Sequence, residues 1–324
     1  MLFQDNFPWY NDIVKQINNT KGIFQMKKFL TVVIAIILMA SMVTLFTGCS
    51  DNDNEQTNTN DPSNNNSNNN NTPITGTVNL GGSTSVNSVA DSLRETFIGI
   101  AANSGITVNE YEGSGSGAGI RDAREDETGN FIGFSSRALT EAEAEGINAI
   151  TFAIDGVALV INSSNHVANL TIEQVHDIFT GEITNWNEVG GANGEIVVVG
   201  RNAGSGTRDA IQSAVGFDDA TASHDLEHTS NGEVISAVSG NVNAIGYISV
   251  HSVEGASGLK AISVNGVAPT NANIANGSFP LSRPFVLMTS TQPSPATQAF
   301  IDFVQGPGGA HVITELARLV LPTA

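Results

Sequence analysis

The chain has 324 residues, with 13 Lys and Arg against 32 Asp and Glu, for a formal charge of −19. Such a balance offers no basic face to a phosphodiester backbone, which excludes nucleic acid as a partner. A small anion would have to be held by local donors against an adverse overall field. One cysteine, Cys49, excludes an internal disulfide, a CxxC redox pair and a thiolate zinc site. The length predicts about two domains.

Lys27 and Lys28 precede an apolar run from Phe29 to Phe46, and Gly48-Cys49 follows. A basic start, an apolar stretch and a small residue before the cut make an export signal. Leu45-Phe46-Thr47-Gly48-Cys49 resembles a bacterial lipobox, with Phe46 where Leu is usual. That resemblance implies cleavage before Cys49 and a lipid on its sulfur. An uncleaved membrane span is the alternative, since about 18 apolar residues can just cross a bilayer. Either reading exports the body and anchors it at the outer face of the membrane. Met26 opens a more ordinary signal than Met1 and is the expected true start, within a leader over 1–49. Residues 50–75 are Asn, Ser, Thr and Asp with almost nothing apolar. They cannot bury enough surface to offset their ordering entropy and read as a solvated tether.

From residue 76 the periodicity changes every ten to twenty residues. Thr77–Leu80 reads as a strand. Val86, Val89, Ala90, Leu93, Phe97 and Ile100 follow at helical spacing. Ile106–Tyr111 is a strand, Arg121–Glu127 a helix and Phe131–Phe134 a strand. Thr140 with Glu143 forms a capping box. Gly156–Ile161 is a continuous apolar run, as in a strand covered on both faces. Thr171–Phe179 reads as a helix, Ile196–Val199 as a strand and Gly206–Val215 as a helix. Glu233–Val238 is a helix, Ala244–Val250 and Phe285–Met288 are strands, and Pro295–Val304 and Ala310–Leu319 are closing helices. The alternation predicts an α/β fold with helices packed on sheets.

Three loops share one design of strand, Gly with Ser or Thr, then helix. They are Gly81-Gly-Ser-Thr-Ser85, Gly113-Ser-Gly-Ser-Gly-Ala-Gly119 and Arg201-Asn-Ala-Gly-Ser-Gly-Thr-Arg208. Each sets hydroxyls at a helix start, where free backbone N–H groups and the positive dipole end meet an anion. Arg201 adds a planar guanidinium able to grip two oxygens. Any one loop alone would be an N-cap and a turn; three together fit a small tetrahedral oxyanion. Rival motifs are weak. Gly113-x-Gly-x-x-Ala118 lacks the acid of a dinucleotide fingerprint, no loop carries a P-loop Lys, and no Ser has the glycines of a nucleophile elbow. His224 and His228 lack further ligands for a metal, so neither metal nor cofactor is expected. Trp186 reads as a packing anchor.

With these motifs, residues 76–324 resemble the PstS-type phosphate-binding lipoproteins of bacterial ABC importers, in the version of Gram-positive bacteria. The resemblance rests on Gly82-Ser-Thr-Ser85, Tyr111-Glu-Gly-Ser-Gly-Ser-Gly117, Ile132-Gly-Phe-Ser-Ser-Arg137, Phe179-Thr-Gly-Glu-Ile-Thr-Asn-Trp186, Arg201–Arg208 and Ala244-Ile-Gly-Tyr247. It implies a periplasmic-binding-protein-like fold of two α/β lobes, each a mixed sheet flanked by helices. Two hinge crossovers, near Ala153–Ile161 and Pro280–Leu287, would join lobe I (76–155 and 286–324) to lobe II (156–285), with the ligand in the cleft. It further implies that Thr84, Ser85, Ser116, Arg201, Ser205, Gly206 and Thr207 bind phosphate. Members of this class are monomers that hand inorganic phosphate to the transmembrane subunits of a permease.

One position departs from the family. Better-known members carry an Asp after the Gly-x-Ser of the third strand, which accepts the phosphate proton and so rejects sulfate. Here that position is Ser136, followed by Arg137. Asp155, set among apolar residues at the first crossover, is either a substitute acceptor or a turn cap with Gly156. Arg137 is expected to reach the ligand or Asp155. The departure keeps sulfate, molybdate or tungstate open as alternative ligands. An enzymatic reading, a phosphatase, lacks a nucleophile with a base or a metal cluster. A phosphate-responsive adhesin or sensor is a further alternative.

Overall fold

The computed structural model describes residues 73–322. The leader, Cys49 and the tether up to residue 72 lie outside the described residues. Among the described residues, no helix is long and apolar enough to cross a membrane.

One sheet runs through the molecule in the order β2-β1-β3-β11-β4-β8-β6-β7, with β9 also paired to β4. Its strands are β1 (Gly76–Gly82), β2 (Ile106–Glu112), β3 (Phe131–Ser135), β4 (Ile147–Asn162), β6 (Val197–Arg201), β7 (Leu226–His228), β8 (Ala244–Ser249), β9 (Leu259–Ala261) and β11 (Ser282–Ser290). Two short strands, β5 (Asn169–Leu170) and β10 (Ser263–Val264), pair separately. β1 is parallel to β2 and β3, β6 is parallel to β8 and β7, and β11 and β4 run antiparallel between the two groups. The main helices are α1 (Asn87–Ile98), α2 (Ser116–Glu125), α3 (Ile172–Thr180), α4 (Gly206–Val215), α5 (Asn231–Gly240) and α6 (Pro295–Gln305).

Two large apolar cores follow from this order, with two smaller clusters beside them. The first gathers Val78, Leu80, Leu93, Phe97, Ile132, Phe134, Phe152, Phe285, Leu287 and Phe300. Phe97 meets Phe300 edge to face with centroids 5.1 Å apart, a favoured geometry for aromatic pairs. The second gathers Val157, Leu159, Ile161, Ile178, Phe179, Trp186, Ile211, Tyr247 and Leu281. β4 is 16 residues long and serves both. Phe152 packs in the first core and Val157 in the second, so the chain passes between them at Ile154–Gly156. The chain makes the same passage in reverse along β11, with Leu281 just before the strand in one core and Phe285 in the other. Arg283 stands opposite Asp155 in the register of this pair.

Local signals explain the remaining boundaries. Thr171 and Gln174 close a capping box on α3, and Gly181 ends it in the left-handed conformation at φ 82°. The turn that follows brings Trp186 into the second core, where its indole Nε1 donates to the Asn243 carbonyl at 2.8 Å. Trp186 is thus the packing anchor its sequence context suggests. The expected helix over Ala310–Leu319 is instead two pieces. One is a short helix at Pro307–His311 and the other a π-helical turn at Val312–Leu316.

Candidate functional site

β1, β2 and β6 each end at one of the three glycine-serine loops, and the loops lead into α1, α2 and α4. Ligand crevices in open α/β sheets lie outside such carboxyl ends. The loops converge. The Ser85 hydroxyl lies 2.9 Å from that of Thr207 at the start of α4. The Gly117 N–H donates to the Gly204 carbonyl at 3.1 Å. Ser116 Oγ accepts from the Ser136 N–H at 3.1 Å and stands 3.4 Å from the Ser136 hydroxyl.

The glycines of the second loop make this approach possible. A Cβ on Gly119 would stand 2.9 Å from the Gly82 Cα, and one on Gly133 would stand 2.2 Å from the Gly119 carbonyl oxygen. The backbones of α2, β1 and β3 therefore touch without side chains between them, which carries Ser116 to the edge of the cleft. Gly82, at φ 122°, adopts a backbone conformation that L side chains rarely take.

Arg201 is 1% exposed and ends β6. Its backbone N–H donates to Tyr247 Oη at 3.0 Å. Its guanidinium donates to the Asn231 side-chain oxygen (2.8 Å), Thr84 Oγ1 (3.0 Å) and the Thr229 and His228 carbonyls (2.8 and 3.2 Å). All of these acceptors are neutral, and no carboxylate pairs with Arg201 among the described residues. Burial pulls its pKa down to about 10, with Arg283 contributing in the same direction. The group stays charged at neutral pH, so the site holds a buried cation that lacks a counter-charge.

The other expected residues fall into place differently. Thr84, Ser85, Ser116, Ser136, Gly206 and Thr207 lie in the convergent cluster. Ser205 caps α4, its hydroxyl accepting the Arg208 N–H at 3.3 Å. Arg208 is a strut for the third loop, bonded to the Arg201 carbonyl at 2.6 Å and to Glu227 and Asp219. Arg137 does not reach Asp155. It is held by Glu143 at 2.7 Å and by Asp209 at 2.6 Å, because the single-turn helix at Glu141–Ala144 and α4 both present carboxylates to it. Asp155 is no turn cap either. It sits mid-strand, 1% exposed, and pairs with Arg283 at 2.9 Å. The Ser249 hydroxyl donates to the same carboxylate oxygen at 2.7 Å.

Reading the sequence missed Arg283, Asn231, Ser249 and the support from Tyr247. Asn231 donates to Ser85 Oγ at 3.1 Å while accepting from Arg201, linking the first and third loops. Neither Asn231 nor Arg283 stands in a glycine loop. The only available signal for Arg283 was a charged residue inside the apolar crossover Leu281–Leu287, the same oddity that drew attention to Asp155. Among the described residues, no group of three or more His, Cys, Asp or Glu side chains is placed to hold a metal. A cavity of about 390 Å³ opens beside His251, Glu254 and Arg318; it is not lined by the convergent hydroxyls.

Donor-bearing loops from both ends of the sheet, joined by two connecting strands, are the design of the two-lobed solute-binding proteins. Comparison with known proteins agrees. Residues 67–307 match the family model described as PBP superfamily domain. The phosphate-binding protein PstS of Borreliella burgdorferi is 29% identical over 309 residues, 90% of this chain and 99% of that protein. A phosphate-bound crystal structure assigned to a phosphate ABC transporter substrate-binding protein of Clostridium perfringens is 36% identical. It covers 76% of this chain and 100% of its own, with a TM-score of 0.72. An ABC-type phosphate transport receptor from Vibrio cholerae is 35% identical over the same shares, with a TM-score of 0.63. The chain belongs to the PBP superfamily and, within it, to the PstS-type binding proteins.

Proposed function

We propose that this protein captures inorganic phosphate outside the cytoplasm and delivers it to the membrane subunits of an ABC permease. In this reading residues 76–155 with 286–324 form one lobe and 156–285 the other, and Cys49 carries the lipid that tethers a monomeric receptor to the membrane. The observation that carries it is the buried, uncompensated Arg201 at the convergence of three helix-start loops. A cation so placed is costly until an anion completes it.

The hydrogen-bond directions support an anionic ligand. Thr84 Oγ1 accepts from Arg201, Ser116 Oγ from the Ser136 N–H, and Ser85 Oγ from both Asn231 and Arg283. A hydroxyl whose lone pairs receive N–H donors has only its proton left to give, which for Ser85 leads to Thr207 Oγ1 2.9 Å away. The cradle therefore presents O–H and N–H groups, which suits a ligand rich in acceptors. The starts of α2 and α4 add roughly half a positive charge each. The Ser85 and Thr207 hydroxyls, 2.9 Å apart, would separate from one another to bond the anion. The reading is of a binder and not of an enzyme: neither an imidazole nor a carboxylate hydrogen-bonds to the cradle hydroxyls among the described residues, so no general base activates them.

Calorimetric titration of the full chain in detergent, freed of ligand by unfolding and refolding, tests this. Saturable phosphate binding is expected, and Arg201→Met should weaken it by about 2–5 kcal/mol, roughly 30- to several-thousand-fold in Kd. Absence of phosphate heat from the unaltered chain, or wild-type affinity in the folded variant, would reject the proposal.

A further inference from the structure

We propose that Arg283 is a second ligand-binding guanidinium of the cradle, and that Asp155 positions it instead of receiving a proton from the ligand. This rests on the reading of the cleft as a phosphate site and names what sets its selectivity.

Arg283 lies on β11 where that strand passes between the two cores, directly opposite Asp155 on β4. The residue is 4% exposed. Its Nε and Nη2 donate to the same Asp155 oxygen at 3.2 and 2.9 Å. Nη2 also donates to the Ser85 hydroxyl at 3.2 Å, which places the guanidinium against the first loop of the cradle. Its Cζ stands 5.5 Å from the Phe285 ring centroid, so the cation has one aromatic neighbour as well. Nη1 is buried and has no hydrogen-bond partner among the described residues. A buried guanidinium N–H left unpaired is costly, and binding sites are where such groups are kept. Ser85 is the junction: it also accepts from Asn231, whose side-chain oxygen accepts from Arg201. The two guanidinium groups are thus linked through Ser85 and Asn231.

The same contacts remove Asp155 from the part of proton acceptor. Its Oδ2 already takes Arg283 Nε, Arg283 Nη2 and the Ser249 hydroxyl. Its Oδ1 faces the His251 backbone N–H at 3.4 Å. Its charge is compensated by Arg283, so the pair as a whole is neutral and Arg201 supplies the net positive charge. With Ser136 at the family's acidic position, no unpaired carboxylate is found among the cradle residues described. The ligand then meets two guanidinium groups, two helix starts and amphoteric hydroxyls. That set selects by anionic charge and tetrahedral shape.

The test is titration of the full chain with phosphate and with sulfate in four variants. Arg283→Gln is expected to bind phosphate roughly 10- to 100-fold more weakly, the effect of one lost hydrogen bond to a charged group. Arg283→Lys, which keeps the charge without the fork, should fall between this variant and the unaltered chain. Asp155→Asn should weaken both anions by the same factor, leaving their ratio unchanged. Arg283→Gln and Asp155→Asn each strand one buried charge, so Arg283→Met combined with Asp155→Leu is the control for folding. That double variant should melt cooperatively and bind phosphate at least about tenfold more weakly. Wild-type phosphate affinity in a folded Arg283→Gln or in the double variant would overturn the role of Arg283. A selective gain of sulfate binding in Asp155→Asn would overturn the role of Asp155. No phosphate binding by the unaltered chain would reject the functional reading and this inference with it, a result distinguishable from failure of the variants alone.

Discussion

At Arg137 one guanidinium meets two carboxylates from different elements, and the consequence is a pH dependence. The hydrogen bond from Arg137 is the largest cause that pulls the Glu143 carboxyl from an ordinary 4.5 down to about 2. A carboxyl whose folded pKa is depressed stabilises the fold fully above its unfolded value. That contribution is lost as pH falls from 4.5 toward 2. Urea unfolding at pH 6 and at pH 3 should therefore show a drop in midpoint that is smaller in Glu143→Gln. An equal drop in both would mean that the pair contributes nothing to folding. The case also marks what single residues disclose. Arg201 was legible because it opens a glycine loop, where a charged group at a helix start has few structural duties. The capping box of Thr140 and Glu143 was legible from spacing alone, and the structure contains both of its hydrogen bonds. The partners of Arg137 were not, since Asp209 lies 72 positions away and only the packing of α4 brings it near. Arg283 was hidden for the same reason, because its meaning depends on the register of two strands distant in sequence.

Among elements, α4 is where local code and tertiary demand are most closely joined. Its first residue is Gly206, although the backbone there has ordinary helical geometry and no local need for glycine. A Cβ at this position would stand 2.2 Å from Ser116 Oγ and 2.8 Å from Ser136 Oγ, both from the opposite half. Gly206→Ala should thus leave the helix intact or steadier by up to about 1 kcal/mol, as Ala favours helix over Gly. It should also keep the loops apart and weaken phosphate binding by at least about tenfold, as for a lost hydrogen bond to a charged group. A thermal melt alongside a phosphate titration would separate these effects; unchanged affinity would show that the loops need not meet to bind. α2 shows the opposite relation. The expected start was Arg121, yet the helix begins at Ser116, because Gly117 and Gly119 erase the periodic signal while permitting close packing. β4 was expected from Gly156 and begins at Ile147. Asn148, Thr151 and Asp155 interrupt the apolar run, but pairing with β11 continues through them. At the C-terminus the helix expected over Ala310–Leu319 starts earlier, at Pro307, and gives way to a π-helical turn at Val312–Leu316.

For the whole molecule, the two-lobed architecture was legible through resemblance more than through pattern. Strand and helix alternation indicated α/β, while two cores sharing β4 and β11 follow from long-range pairing. The charge of −19 was legible from composition, and it sets the last prediction. A phosphate ion approaching this surface is repelled within about a Debye length of it, about 10 Å at 0.1 M salt. Inside the cleft it meets Arg201 and the helix starts, which are buried and little screened. Added salt therefore weakens the repulsion more than the attraction, and phosphate association should accelerate as ionic strength rises from about 0.01 to 0.15 M, a range over which the Debye length falls from about 30 to 8 Å. Dissociation, governed by the closed cradle, should change little. Stopped-flow measurement of binding to a fluorescently labelled chain would show the trend. If exposed basic residues drew the anion in, salt would slow association instead. That result would move the origin of capture from the buried cradle to the protein surface.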